Sequence, residues 1–390
     1  ENFNFDIPKE LPPISSILSG YFSYDIIRYI EKIPNSTKND LYIPDSRILR
    51  PRNVIVHDNV DKKLYFIVNI FNDEKISDFN KKFSQINKQI EEMVFLANYN
   101  SSNTNQNINK LSKIKSNISK KKFIYNVKKA KKYIKIGDIF QVVLSQRFEC
   151  KLTKKPIEIY KKLRKTNPSP FMYFFNFNDF QIIGASPEIL VRLRNNKITI
   201  RPIAGTRPRG KNKKQDQFFE KDLLKDTKEL SEHLMLLDLG RNDAGKVSKI
   251  NTVKVTESFK IERYSHVMHI VSHVEAEISD KYNAYDVLRS AFPAGTVSGA
   301  PKVRAMKQIS EKEPFERGPY SGAVGYFSFD GSMDTAIAIR TIVLKENTAI
   351  IQAGAGIVAD SDPETEHNEC LAKMGALIKA LEYAEKSKNP

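Results

Sequence analysis

Apolar and polar residues alternate in NVIVHD (53–58) and KLYFIVNIF (63–71), which predicts two half-buried strands. A helical period follows over about residues 78–96. Residues 98–122 (NYNSSNTNQNINKLSKIKSNISKKK) are polar and of low complexity, and they predict a flexible connection. Beyond it the pattern is denser. A helix over 123–136 leads into strand runs at 139–150, 170–177, 180–186, 189–196 and 197–203. A helix over 221–239 comes next, then helices over 282–292 and 301–310. SGAVGYFSF (321–329), TAIAIRTIVL (335–344) and TAIIQAGAGIV (348–358) read as three more strands, and a long helix over 363–385 follows. Strands arrive in groups with helices between the groups. That order predicts an α+β fold with large, mostly antiparallel sheets rather than a doubly wound one.

Composition narrows the class only a little. The 390 residues include 23 Phe and 16 Tyr, enough for a sizeable core. No run approaches about eighteen apolar residues, so no membrane-spanning helix is expected. The opening ENFNFDIPKE has no signal-peptide pattern and no methionine, and reads as the start of a fragment or processed product. Cys150 and Cys370 are the only cysteines, too few for a disulfide framework and suited to the cytoplasm. The net charge of +17 invites a nucleic-acid reading. Its lysines, however, lie in Asn- and Ile-rich tracts without any nucleic-acid or zinc motif, so no nucleic-acid partner is expected.

Candidate chemistry gathers in the last two thirds. Along 363–385, Leu371, Met374, Leu377, Ile378 and Leu381 make one apolar face, while Glu366, Glu369 and Lys373 make a second stripe. The 221–239 helix has Leu223, Leu230, Leu234 and Leu237 on its core face, with Glu232 beside Leu236 and Leu239. Carboxylates from two helices can hold magnesium with water completing the shell. Spacing alone leaves that reading open beside a solvated ion-pair face. Four small-residue loops, IIGASPE (182–188), RPIAGTRPRG (201–210), PAGTVSGAPK (293–302) and QAGAGIV (352–358), can aim backbone N–H groups at an anion. PAGTVSGAPK lacks the Lys-Ser/Thr ending of a nucleotide phosphate loop. Arg340 in AIAIRTI and Tyr320 in GPYSGAVGY add a carboxylate clamp and an aromatic wall. His266, His269 and His273 share one run without a zinc pattern, and one functional histidine is expected among them.

Together these motifs, with ELSEHLMLLDLGRND and SDPETEHNECLAKMGALIKAL, resemble the chorismate-utilising enzymes, and within them the anthranilate synthase large components. The resemblance is dense from 123 to 381 and thinner over 20–97. It implies sheets packed as a sandwich with helices outside. It divides the chain into a remnant N-terminal region (1–97), the linker (98–122) and a chorismate-binding catalytic domain (123–390). Magnesium would be held by Glu232 and Glu369, with Glu366 acting through water. Gly205, Thr206, Thr296, Tyr320, Arg340, Gly354, Ala355, Gly356 and Lys373 would contact chorismate. Glu188 would be the general acid and His269 a proton-transfer group.

The implied reaction adds ammonia to chorismate and eliminates pyruvate, giving anthranilate for tryptophan biosynthesis. The ammonia would come from a glutamine amidotransferase subunit, component II. Relatives that make isochorismate carry a lysine where this chain has Gln141. Those that make aminodeoxychorismate, the alternative activity, carry a lysine where it has Ala204. The resemblance also implies a further N-terminal stretch with half of a tryptophan inhibitor site. Pro170, Phe171 and Met172 would form the other half.

Overall fold

A computed structural model describes residues 8–71, 74, 78–99, 111–264 and 267–386. The first strands among the described residues are β1 (Ile17–Phe22), β2 (Ser46–Leu49), and the hairpin β3 (Asn53–Asp58) and β4 (Lys63–Val68). Then come α1 (Phe79–Asn98), β5 (Lys115–Ser116), α2 (Lys120–Lys135), β6 (Gln141–Lys151) and α3 (Pro156–Thr166). The middle holds β7 (Phe171–Asn176), β8 (Phe180–Ser186), β9 (Ile189–Arg194), β10 (Lys197–Ile200), β11 (Ile203–Pro208), α4 (Lys213–Leu223) and α5 (Thr227–Gly245). After β12 (Lys254–Arg263) and β13 (Val267–Glu277) come α6 (Ala284–Ala291), β14 (Gly299–Ala300) and α7 (Lys302–Lys312). The last elements are β15 (Ala323–Ser328), β16 (Met333–Ile337), β17 (Thr341–Lys345), β18 (Thr348–Ile357) and α8 (Pro363–Lys386).

Most helix starts carry the chemistry their sequence supplies. The Asp78 side chain caps α1, Ser119 caps α2, and Asn283 forms a capping box with Asp286 on α6. Asn195 and Asn196 both take positive φ (49° and 58°), which makes the tight turn between β9 and β10.

One sheet has nine strands in the order β11-β13-β10-β9-β16-β15-β1-β2, with β12 also on β13. The other has seven, β14-β6-β18-β17-β8-β7, with β5 also on β6. Neighbouring strands in both run antiparallel. Tyr21, Val324 and Ala336 of the first sheet pack on Phe180, Ile182 and Val343 of the second, the filling between the two layers. On the opposite face of the seven-stranded sheet, Ile183, Ala185, Ile342 and Ile351 pack against Leu163 of α3 and Met374, Leu377 and Leu381 of α8. These inner strands are apolar on both faces because both faces are covered.

Three expectations are corrected. The 221–239 helix is two helices, broken where Asp226 turns back to accept hydrogen bonds from the Lys228 and Glu229 amides. Leu234, expected in its core, is 50% exposed, and Leu371 of α8 is 40% exposed. TAIAIRTIVL is not one strand. Its first half is β16 in the nine-stranded sheet, and its second half is β17 in the seven-stranded sheet.

Candidate active site

The chain passes between the two sheets twice in neighbouring places, from β8 to β9 and from β16 to β17. Because β9 pairs with β16 and β8 with β17, the two crossovers run side by side. The Ile337 amide donates to the Glu188 carbonyl (3.0 Å), and the Ala185 amide donates to the Arg340 carbonyl (3.1 Å). Glu188 and Arg340 are thus held together at the seam of the sandwich, Arg340 with φ +49° rather than in the extended strand expected.

Glu188 is buried, and burial pushes its carboxyl up to about 7, against the opposing pull of Thr296, Arg340 and Lys373. The Thr296 hydroxyl lies beside it, close enough to favour the charged form of the carboxyl. The loop bearing Thr296 rests on α5. A Cβ on Gly295 would come within 2.7 Å of Leu239, which is why a glycine stands there. Burial lowers the pKa of the Arg340 guanidinium, while Glu188 and Tyr264 pull it up.

His269 lies on β13, opposite Thr206 of β11. A bulge at Gly205 (φ +66°) turns the Gly205 carbonyl to within 2.9 Å of His269 Nδ1, and Thr206 Oγ1 lies 3.1 Å from the same nitrogen. A carbonyl only accepts, so Nδ1 carries the proton and Nε2 is left as the base. Burial lowers the His269 pKa and keeps the ring neutral. His273 lies on the same strand, 3.8 Å from Glu257; His266 falls outside the described residues.

Glu232 of α5 and Glu369 of α8 lie near enough for their charges to act on each other. Burial raises the Glu232 pKa on α5, and the nearby charge of Glu369 on α8 adds to it. Glu366 is raised by burial and by Glu369 as well. Gln141, at the start of β6, donates Nε2 to Glu232 Oε1 (2.8 Å), and its own buried Oε1 has no partner among the described residues. Lys373 Nζ bridges Glu369 Oε1 (2.7 Å) and the Gly354 carbonyl (2.9 Å). Hard oxygen donors that raise one another's pKa suit magnesium. Among the described residues no three His, Cys, Asp or Glu side chains gather closely enough to hold an ion. Such an ion would complete its shell from substrate and water.

The glycines of β18 are required by close neighbours. A Cβ on Gly354 would lie 2.8 Å from the Tyr320 hydroxyl, and one on Gly356 would lie 2.5 Å from Gln141 Nε2. Ala355 between them turns its methyl into the core. Tyr320 is buried, and burial raises its pKa well above the usual phenol range. Pro170, Phe171 and Met172 lie apart from this group, at the start of β7 on the sheet edge opposite β14. Lys302, which the motifs left without a role, is a buried anchor: its Nζ donates to Asp243 Oδ2 of α5 (2.6 Å).

Known proteins resemble this chain over nearly its whole length. The chorismate binding enzyme family matches residues 3–379. Anthranilate synthase component 1 of Acetivibrio thermocellus is 48% identical over 379 residues, covering 96% of this chain and 76% of that protein. That of Cereibacter sphaeroides is 49% identical, covering 97% and 76%. The crystal structure of anthranilate synthase component I from Streptococcus pneumoniae TIGR4 matches with a TM-score of 0.88 at 38% identity, over 96% of this chain and 83% of that one. No helix among the described residues is long and apolar enough to cross a membrane. A match over nearly its whole length makes this chain a member of the chorismate binding enzyme family.

Proposed function

We propose that this chain is the large component of an anthranilate synthase, converting chorismate and ammonia to anthranilate, pyruvate and water. The observation that carries the reading is Glu188, a buried carboxyl raised to about 7 beside Arg340. An acid with that pKa is still substantially protonated at neutral pH and can release its proton in the reaction.

Arg340 would hold one carboxylate of chorismate in a charge-assisted pair. Gly354 and Gly356 let Tyr320 and Gln141 stand close against the backbone of β18, and these side chains would wall the chorismate site. Ammonia bonds to the ring as the distal hydroxyl leaves with the proton of Glu188 and the ring double bonds shift. His269, neutral and with Nε2 free, would take the ring proton as the enolpyruvyl C–O bond breaks, and the departing enolpyruvate takes up a proton to become pyruvate. Glu232 and Glu369, with Glu366 behind them, would hold magnesium, which when bound neutralises and orients a substrate carboxylate. Gln141 is no base, and Ala204 is no nucleophile, which favours ammonia over water and over covalent catalysis.

The designation of the relatives as component 1 supports a second component, a glutamine amidotransferase that supplies the ammonia. The two buried free thiols support a cytoplasmic setting. Pro170, Phe171 and Met172 would serve a tryptophan inhibitor site, and residues 123–390 would form the catalytic unit, its nine-stranded sheet completed by β1 and β2 from residues 1–97. Incubation with chorismate, magnesium and ammonium should give anthranilate fluorescence and pyruvate in equal amounts. Aminated product without pyruvate would overturn the reading.

A further inference from the structure

Arg317 is fully buried, and every N–H of its guanidinium is used. Nε and Nη2 grip the two oxygens of Glu313 (2.8 and 2.7 Å). Nη1 donates to the Val297 carbonyl (2.8 Å) and Ser321 Oγ (3.3 Å), and Nη2 donates to the Val143 carbonyl (2.7 Å). Its plane lies over the rings of Tyr24 (4.7 Å) and Tyr320 (5.6 Å). Burial opposes the charge, but Glu313 outweighs it and raises the arginine pKa above its ordinary value. Glu313 in turn accepts from the amide and hydroxyl of Ser145 on β6 (both 2.8 Å).

Each of these contacts ends one step from a part of the pocket. Val297 follows Thr296, which lies against Glu188. Val143 and Ser145 pair with Gly356 and Gly354. Tyr320 stands over Gly354. We propose that Arg317 is the positioning residue of this site, fixing the spacing between the Thr296 loop, the glycine strand β18 and Tyr320. The inference rests on the anthranilate synthase reading. A lysine would keep the charge but lacks the planar fork that reaches a carboxylate and two carbonyls at once.

The test is Arg317→Lys beside the wild-type protein, each assayed with chorismate, magnesium and ammonium across pH. A loosened loop should lower kcat by about tenfold or more, with a smaller change in the KM for chorismate. Thr296 normally pulls the Glu188 pKa down, so its retreat should move the alkaline limb of the pH profile upward, while Arg340 and Lys373 keep their places. Wild-type kcat and an unmoved limb, with only the melting temperature lowered, would make Arg317 a packing residue and overturn the inference. Wild-type protein that forms no anthranilate would instead overturn the functional reading. If Arg317→Lys does not fold, Ser145→Ala decides: a smaller kcat loss with the same upward limb shift supports the inference, and unchanged values overturn it.

Discussion

Replacing Glu188 by Gln separates the chemical role of this carboxyl from its cost to the fold. The raised pKa means that the charged form is disfavoured in the folded protein. A rise from the ordinary 4.5 to about 7 corresponds to about 3 kcal/mol, at about 1.4 kcal/mol for each tenfold. The direction follows from proton binding. Between these two pH values the folded state holds the proton and the unfolded state has lost it, so stability falls as pH rises through the window. Gln cannot ionise and escapes that loss. The variant should therefore be more stable than wild type by about 1 kcal/mol at pH 5 and about 3 kcal/mol at pH 9. It should also lose about 10²- to 10⁴-fold in turnover, because no group is left to protonate the departing hydroxyl. Urea melts at the two pH values measure the first effect, and anthranilate fluorescence the second. In wild type, kcat/KM should decline as pH rises above about 7. A stability gain that is the same at both pH values, or undiminished turnover, would refute the reasoning.

Other substitutions test the remaining walls of the pocket. Glu232→Gln and Glu369→Gln should each abolish magnesium-dependent turnover while circular dichroism stays native; activity that still follows a magnesium titration would remove these residues from the metal site. Arg340→Lys should raise the KM for chorismate by about 10- to 100-fold, the loss of one charge-assisted pair of about 1.5–3 kcal/mol. Gly356→Ala puts a methyl 2.5 Å from Gln141 Nε2 and should displace that amide from Glu232, ending turnover and lowering the melting temperature. Turnover equal to wild type would show that Gln141 can shift aside without cost.

The sequence by itself determined what short-range chemistry controls. Asp78, Ser119 and Asn283 mark helix starts because a side-chain oxygen caps amides two or three residues on, whatever the rest of the chain does. The period of α8 placed Glu366, Glu369 and Lys373 on one stripe, and the motifs carried the family. The division of TAIAIRTIVL between two sheets was not legible. Strands covered on both faces lose the alternation that would mark where one ends, so a crossover inside an apolar run leaves no signal. That crossover brings Arg340 to Glu188, 152 positions earlier in the chain, and the tertiary structure brings Glu232 of α5 beside Gly356 of β18 and within reach of the charge of Glu369. Arg317 shows the same limit: in sequence it is one arginine among many surface cations, and only burial, which forces every N–H to find an acceptor, reveals its position behind the pocket. Local propensity set the elements; the tertiary structure alone decided which charges would be taken out of water together, and that desolvation is what turns Glu188 from an ordinary carboxylate into an acid.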